Sequence, residues 1–311
     1  MKNIILLLIL GYTQFGFSQT TEYVYKNAND STYNCYLTVL PDHSDIKGLI
    51  IRDYSSLPTP IKTGSYPYKW RDLALENGLA ILYTVTSNFF PELYYNDSGL
   101  VILDELVHEV IQKHAIPKQN IFIGGISASG TRALKYAQFC EMGKSKFNIQ
   151  IKGVFAVDSP LDFERFYNSA SKHKSNFKKG MLWEAKLMVK VFPAKLSGTP
   201  ETNLIAYQSQ SVYSATDSTG GNAKNLINTS TILFHEPDID WWIKERGSTY
   251  YDINSYDIAG IYNYLKLNNH QDVELITTTG KGFNRKGERN CHSWSIVDEQ
   301  YLIDWIIQRL S

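Results

Sequence analysis

From Tyr23 to Leu40 apolar and polar side chains alternate with a period of two, interrupted at Asn29 and Asp30, so the chain is expected to open with a β-hairpin at the antiparallel edge of a sheet. The short β-branched run Gly48 to Ile51 predicts a further strand. The Ser- and Pro-rich stretch Asp53 to Pro60 cannot continue it and leaves the sheet as a loop. The period then swings between helix and strand. Tyr68 to Glu76 reads as a helix stopped by Asn77-Gly78, Leu79 to Thr86 as a strand, Leu100 to His114 as a helix and Asn120 to Ile126 as a strand. Ser129 to Met142 and Ile151 to Val157 repeat the pair. Residues 160–228 break the rhythm with helical pieces such as Met181 to Val191 and polar connections, as an insertion does. The alternation returns with Thr231 to Phe234, Ile258 to Leu267, Val273 to Thr277 and an amphipathic closing helix, Ile296 to Leu310. Helices taking turns with buried strands predict an α/β fold, a mostly parallel central sheet with helices on both faces.

The first residues do not belong to that pattern. Lys2, the apolar run Ile4 to Leu10 and the small residues Gly16 and Ser18 have the layout of a signal peptide, with 19–311 as the mature chain and an exported destination. Gly11, Thr13 and Gln14 interrupt the apolar run well short of the roughly 20 residues a spanning helix needs, so no membrane span is expected after processing. Formal charge is balanced, with 31 basic and 31 acidic side chains, which removes the electrostatic footprint of a nucleic-acid binder. Cys35, Cys140 and Cys291 are too sparse for a disulfide scaffold, allow at most one bridge and match no zinc spacing. They read as buried or idle thiols.

Chemistry concentrates at one place. In Ile121-Phe122-Ile123-Gly124-Gly125-Ile126-Ser127-Ala128-Ser129-Gly130-Thr131 a buried strand runs directly into a helix through small residues. A serine on so sharp a turn needs small neighbours two positions away and sits at the N-terminus of the following helix, where unpaired N–H groups favour a developing anion. Gly125 and Ser129 meet the size requirement around Ser127. The glycine expected after the serine is replaced by Ser129, with Gly130 next, so Ser129 is the alternative nucleophile.

With this segment and the order of elements, the chain resembles the α/β-hydrolase superfamily of esterases, lipases and serine peptidases, over roughly Ile46 to Leu310 with 160–228 as a helical cap. The resemblance implies a nucleophile, an Asp or Glu and a His, in that chain order, on loops at the carboxyl ends of strands. His292, after the last predicted strand and before the closing helix, occupies the place of the histidine. The loop His235-Glu236-Pro237-Asp238-Ile239-Asp240 occupies the usual place of the acid; Asp238 is preferred there and Asp240 is second. Asp158, at the end of the preceding strand, is a further candidate. The resemblance also implies an oxyanion hole from the amide of Ala128 and one from the loop at Tyr54 or Ser55, with Tyr54 taken first. The basic stretch 281–290 is read as a solvated loop; the alternative is that it lines the mouth of the site and attracts an anionic substrate such as a carboxylate-bearing ester. No metal, nucleotide or flavin is implied, and oligomeric state is left open. The expected activity is hydrolysis of a small-molecule carboxylic ester through an acyl-enzyme. The alternatives are cleavage of small peptides by the same residues, and a binding protein that kept the fold without catalysis.

Overall fold

The computed structural model describes residues 20–27, 29–42, 45–58 and 69–311; the leader read at 1–18 and Tyr68, the start expected for the first helix, lie outside them. Eight strands form one sheet in the order β1-β2-β4-β3-β5-β6-β7-β8. They are β1 (Thr20–Tyr25), β2 (Cys35–Leu40), β3 (Gly48–Asp53), β4 (Leu79–Val85), β5 (Ile121–Ile126), β6 (Gly153–Val157), β7 (Ser230–His235) and β8 (Val273–Thr277). The opening hairpin is present: β1 pairs antiparallel with β2, and β2 antiparallel with β4. From β4 through β8 every pairing is parallel. Strands β3, β5 and β6 are almost wholly buried, as a parallel sheet covered on both faces requires.

Helices α1 (Trp70–Glu76), α2 (Ser98–Lys113), α3 (Ala128–Glu141), α4 (Phe163–His173), α5 (Lys179–Lys195), α6 (Pro200–Gln210), the single turn α7 (Ile239–Trp241), α8 (Ser255–Leu267) and α9 (Glu299–Ile307) supply the cover. One face packs against α2, α3 and α8 through Leu103, Val107, Leu134, Ala137, Ile261 and Leu265. The other packs against α1 and α9 through Trp70, Ala74, Leu302 and Ile306. The closing helix begins later than its apolar period suggests. Residues Trp294–Ile296 form a separate tight turn, and Asp298 caps α9 by accepting from Tyr301 N at 3.1 Å. Among the described residues no helix is long and apolar enough to cross a membrane. Cys35, Cys140 and Cys291 are all buried and unbridged.

The insertion between β6 and β7 is helical, and its apolar cluster, built on Phe163, Phe166, Met188, Phe192 and Tyr207, also takes in Leu93 and Tyr95 from the segment after β4. It is tied back to the sheet domain by charge as well. Arg165 on α4 donates Nε to Asp257 Oδ1 of α8 at 2.7 Å and Nη1 to the Asp252 carbonyl at 3.0 Å, with a second, shorter contact to Asp257 Oδ2. The same carboxylate receives the amides of Leu161 (2.9 Å) and Asp162 (3.1 Å), so one buried acid fixes the point where the chain enters the cap. Asp257→Asn leaves the Arg165 guanidinium buried without its counter-charge. Urea denaturation should then show stability lower by about 3 kcal/mol; a loss under about 1 kcal/mol would mean that apolar packing alone holds the cap.

Candidate active site

Ser127 stands between β5 and α3 with φ 57° and ψ −132°, a conformation that side chains other than glycine rarely adopt. Its surroundings leave no room for anything larger. A methyl group on Gly125 would lie 2.3 Å from Ser129 Oγ and 2.6 Å from the Ser129 carbonyl carbon, and one on Gly130 would lie 2.8 Å from the Gly125 carbonyl oxygen. The turn is closed by bonds from the amides of Gly130 (3.0 Å) and Thr131 (3.1 Å) to the Ser127 carbonyl. Ser129 is tolerated because its hydroxyl folds inward and donates to the Asp53 carbonyl. It is buried and turned away from the cavity, whereas Ser127 lines it.

Asp53, at the end of β3, braces the turn. Its carboxylate meets Arg132 Nε of α3 at 2.9 Å and accepts from Tyr94 (2.7 Å) and Thr84 (2.8 Å); its carbonyl accepts from Arg132 Nη2 at 2.7 Å. The loop after β3 and the helix after β5 are thereby held to one another. Ala128, the first residue of α3, has an amide with no acceptor within the helix. The amide of Tyr54, expected to be the second oxyanion donor, is instead bonded to the Thr84 carbonyl at 2.9 Å, because β3 runs to Asp53, beyond the expected end at Ile51, and its ladder with β4 takes in the next amide. Tyr54 is therefore corrected as a donor.

His292 and Asp158, the third acid considered from sequence, come together beyond the carboxyl ends of the strands. His292 Nδ1 lies 2.5 Å from Oδ2 of Asp158, which follows β6 and is wholly buried. The other carboxylate oxygen is 3.0 Å from Nδ1 of His235, at an oblique angle, and accepts from Asn254 Nδ2 at 3.2 Å. Burial by itself would raise the pKa of Asp158, but the two imidazoles outweigh it and hold the carboxyl far below its usual range. Burial would lower that of His292, yet Asp158, helped by Glu184, lifts it above its ordinary 6.5.

Asp238, the acid preferred from sequence, does not meet His292. It caps α7, accepting from Trp241 N at 3.0 Å, and binds Arg289 at 2.7 Å. Asp240, the second choice, lies within the single turn of α7. The loop after β7 does serve the histidine indirectly. Glu236, fully buried, accepts from the amides of Lys281 (3.0 Å) and Gly282 (2.8 Å), from Thr278 Oγ1 (3.0 Å) and from Arg289, which pins the segment leading to His292. Glu236, Asp238 and Cys291 bring potential ligand atoms within 4.8 Å of one another. Arg289 already answers both carboxylates, and burial pushes the Cys291 thiol up to about 12, so the donor set suits the guanidinium better than a metal ion. His235 is the participant that the sequence reading passed over. Only its position at the end of β7 pointed to it.

Ser127 and His292 line one cavity of about 280 Å³ under the cap, with Met181, Trp183 and Glu184 of α5 on the opposite side. His292 also lines a second cavity of about 460 Å³, walled by Arg52, Tyr54, Trp70, Arg71, Arg285 and Trp294. Arg285 comes from the basic stretch 281–290, so that segment is not merely solvated.

No protein-family model and no curated protein sequence matches this chain. Solved structures do. The acylaminoacyl peptidase of Pyrococcus horikoshii aligns at a TM-score of 0.58 and 13% identity, covering 94% of this chain and 42% of its own, so the chain spans about two fifths of that enzyme. Carboxyl esterase 2 of the fungus Tuber melanosporum aligns at 0.56 and 11% identity, covering 96% of this chain and 90% of its own. The sheet order, the strained serine between β5 and α3 and these shared architectures establish that the chain has the α/β-hydrolase fold.

Proposed function

We propose that this chain is an exported serine hydrolase that cleaves carboxylic esters through an acyl-enzyme on Ser127. The observation that carries the reading is the meeting, in one cavity, of a serine on a strained strand-to-helix turn and a histidine 2.5 Å from a buried carboxylate. Ser127 Oγ attacks the ester carbonyl carbon while His292 Nε2 takes its proton. Asp158 holds the ring through Nδ1 and stabilises the imidazolium that forms. The tetrahedral oxygen accepts from Ala128 N–H and, in this reading, from the amide of Ser55 in the loop after β3. Collapse expels the alcohol, which receives the proton from His292, and water repeats the sequence to release the acid. Export rests on the leader-like residues 1–18. The peptidase reading uses the same residues and draws on the shared architecture with the acylaminoacyl peptidase. Comparing nitrophenyl esters with aminoacyl anilides separates the two.

A fluorophosphonate should label Ser127 in the purified protein. Ser127→Ala should abolish labelling and lower ester turnover by about 10⁴-fold or more, while Ser129→Ala should still be labelled, since its hydroxyl faces inward. Mass spectrometry of the labelled peptide decides this, and a label on Ser129 would overturn the assignment.

Asp158→Asn should reduce kcat/KM by on the order of 10³-fold, against less than about 10-fold for Asp238→Asn. The pH profile gives the sign independently. His292 must be neutral to accept a proton, and Asp158 raises its pKa, so activity in the wild type should fall as pH drops through a midpoint above 6.5. In Asp158→Asn burial acts without the carboxylate and the acid limb should move to lower pH; an unmoved limb would remove Asp158 from the role.

A further inference from the structure

We infer that the 460 Å³ cavity beside His292 is a subsite for a carboxylate group of the substrate, drawn in by the buried charge of Arg52; this rests on the serine-hydrolase reading above. Arg52, on β3, is 2% exposed and forms part of the cavity wall. Its guanidinium, which stays protonated in proteins, lies 4.3 Å from the ring centre of Trp294 and 4.9 Å from that of Trp70. Among the described residues Nη2 bonds to the Tyr54 hydroxyl, and Nε and Nη1 find no hydrogen-bond acceptor.

A buried cation is ordinarily matched by a carboxylate, and among the described residues none forms an ion pair with this one. Glu299 feels the charge of Arg52, but its oxygens are held by Trp294 Nε1 and the amides of Lys69 and Trp70. The aromatic faces offset part of the cost of burying the charge without neutralising it. Arg285 adds positive charge to the same cavity, Arg71 lines it with Asp72 as its partner at 3.2 Å, and among the described residues no acidic side chain lines it. Walls of low polarity strengthen the resulting field, and aromatic sides suit the carbon skeleton of an organic acid better than a bare inorganic anion. The cavity shares His292 with the cavity that holds Ser127, so an ester bonded at the serine can extend its charged arm into it.

The test compares esters that differ only in charge: 4-acetoxybenzoate against its methyl ester, with the carboxylate on the alcohol side, and mono-4-nitrophenyl adipate against 4-nitrophenyl hexanoate, with it on the acyl side. In at least one pair the anion should be preferred by tenfold or more in kcat/KM at low salt. Arg52→Met should cut that preference at least fivefold, and Arg285→Gln should lower it if Arg52→Met fails to fold. Turnover of the neutral esters with no preference in either pair, or a preference untouched by both variants, overturns the subsite. Should no ester be turned over, the hydrolase reading fails and binding alone decides the subsite. Saturable quenching of tryptophan fluorescence by benzoate in the full chain, absent with benzamide and lost in Arg52→Met, upholds it. No response to benzoate, or a response to inorganic phosphate only, overturns it.

Discussion

The backbone at Ser127 is the constraint on which the site depends. Holding a serine at φ 57° and ψ −132° costs about 1–3 kcal/mol, so the surrounding packing must leave the chain no relaxed alternative. It does so from two directions. Gly125 and Gly130 let the strand and helix approach to a distance that a side chain would prohibit, and the Ser127 amide is anchored to the Val157 carbonyl at 2.9 Å, across to the next strand. Asp53 and Arg132 then lock β3 to α3 in the interior, where a charged pair with its remaining hydrogen-bonding positions filled by Tyr94, Thr84 and Thr86 has little freedom to shift. Ser127 and the loop after β3 thus share one reference.

The carboxyl ends of neighbouring parallel strands supply the other parts. Asp158 extends β6 and His235 ends β7, which places a carboxylate between two imidazoles with each of its oxygens addressed. His235 is itself tethered through Nε2 to the Ser255 hydroxyl, so it limits how Asp158 turns as well as its charge. The His292 segment is long and leaves the sheet altogether after β8. Its position is recovered through Glu236, whose buried oxygens collect two backbone amides, a hydroxyl and a guanidinium from that segment.

Much of this was legible in the chain because it depends on local rules. Period-two and helical stretches gave the hairpin, the alternating core and the last strand, Val273–Thr277, and the small residues around Ser127 announced the turn. What was not legible depends on where long segments travel. Three acids follow β7, and nothing in their order reveals that Glu236 and Asp238 meet Arg289 while His292 turns toward β6. Tyr54 illustrates the same limit at smaller scale: one further ladder bond to Thr84 removes its amide from service, and ladder ends are set by the neighbouring strand. Arg52 reads in sequence as the start of a loop after a strand ending at Ile51; only the structure puts it on β3 as a buried cation among aromatic rings.

The cap contributes to the electrostatics as well as to the shape. Glu184 on α5 is a carboxylate that burial pushes toward its neutral form, against the opposing pull of His292. That interaction is mutual, so Glu184 adds to the lift that Asp158 gives His292, while Arg246 works against both. The basicity of the histidine therefore depends on an element inserted between β6 and β7 and held to the sheet domain through Arg165 and Asp257. The charges carried by the strand ends and by the insertion are separable in sequence, but at His292 they act on one imidazole.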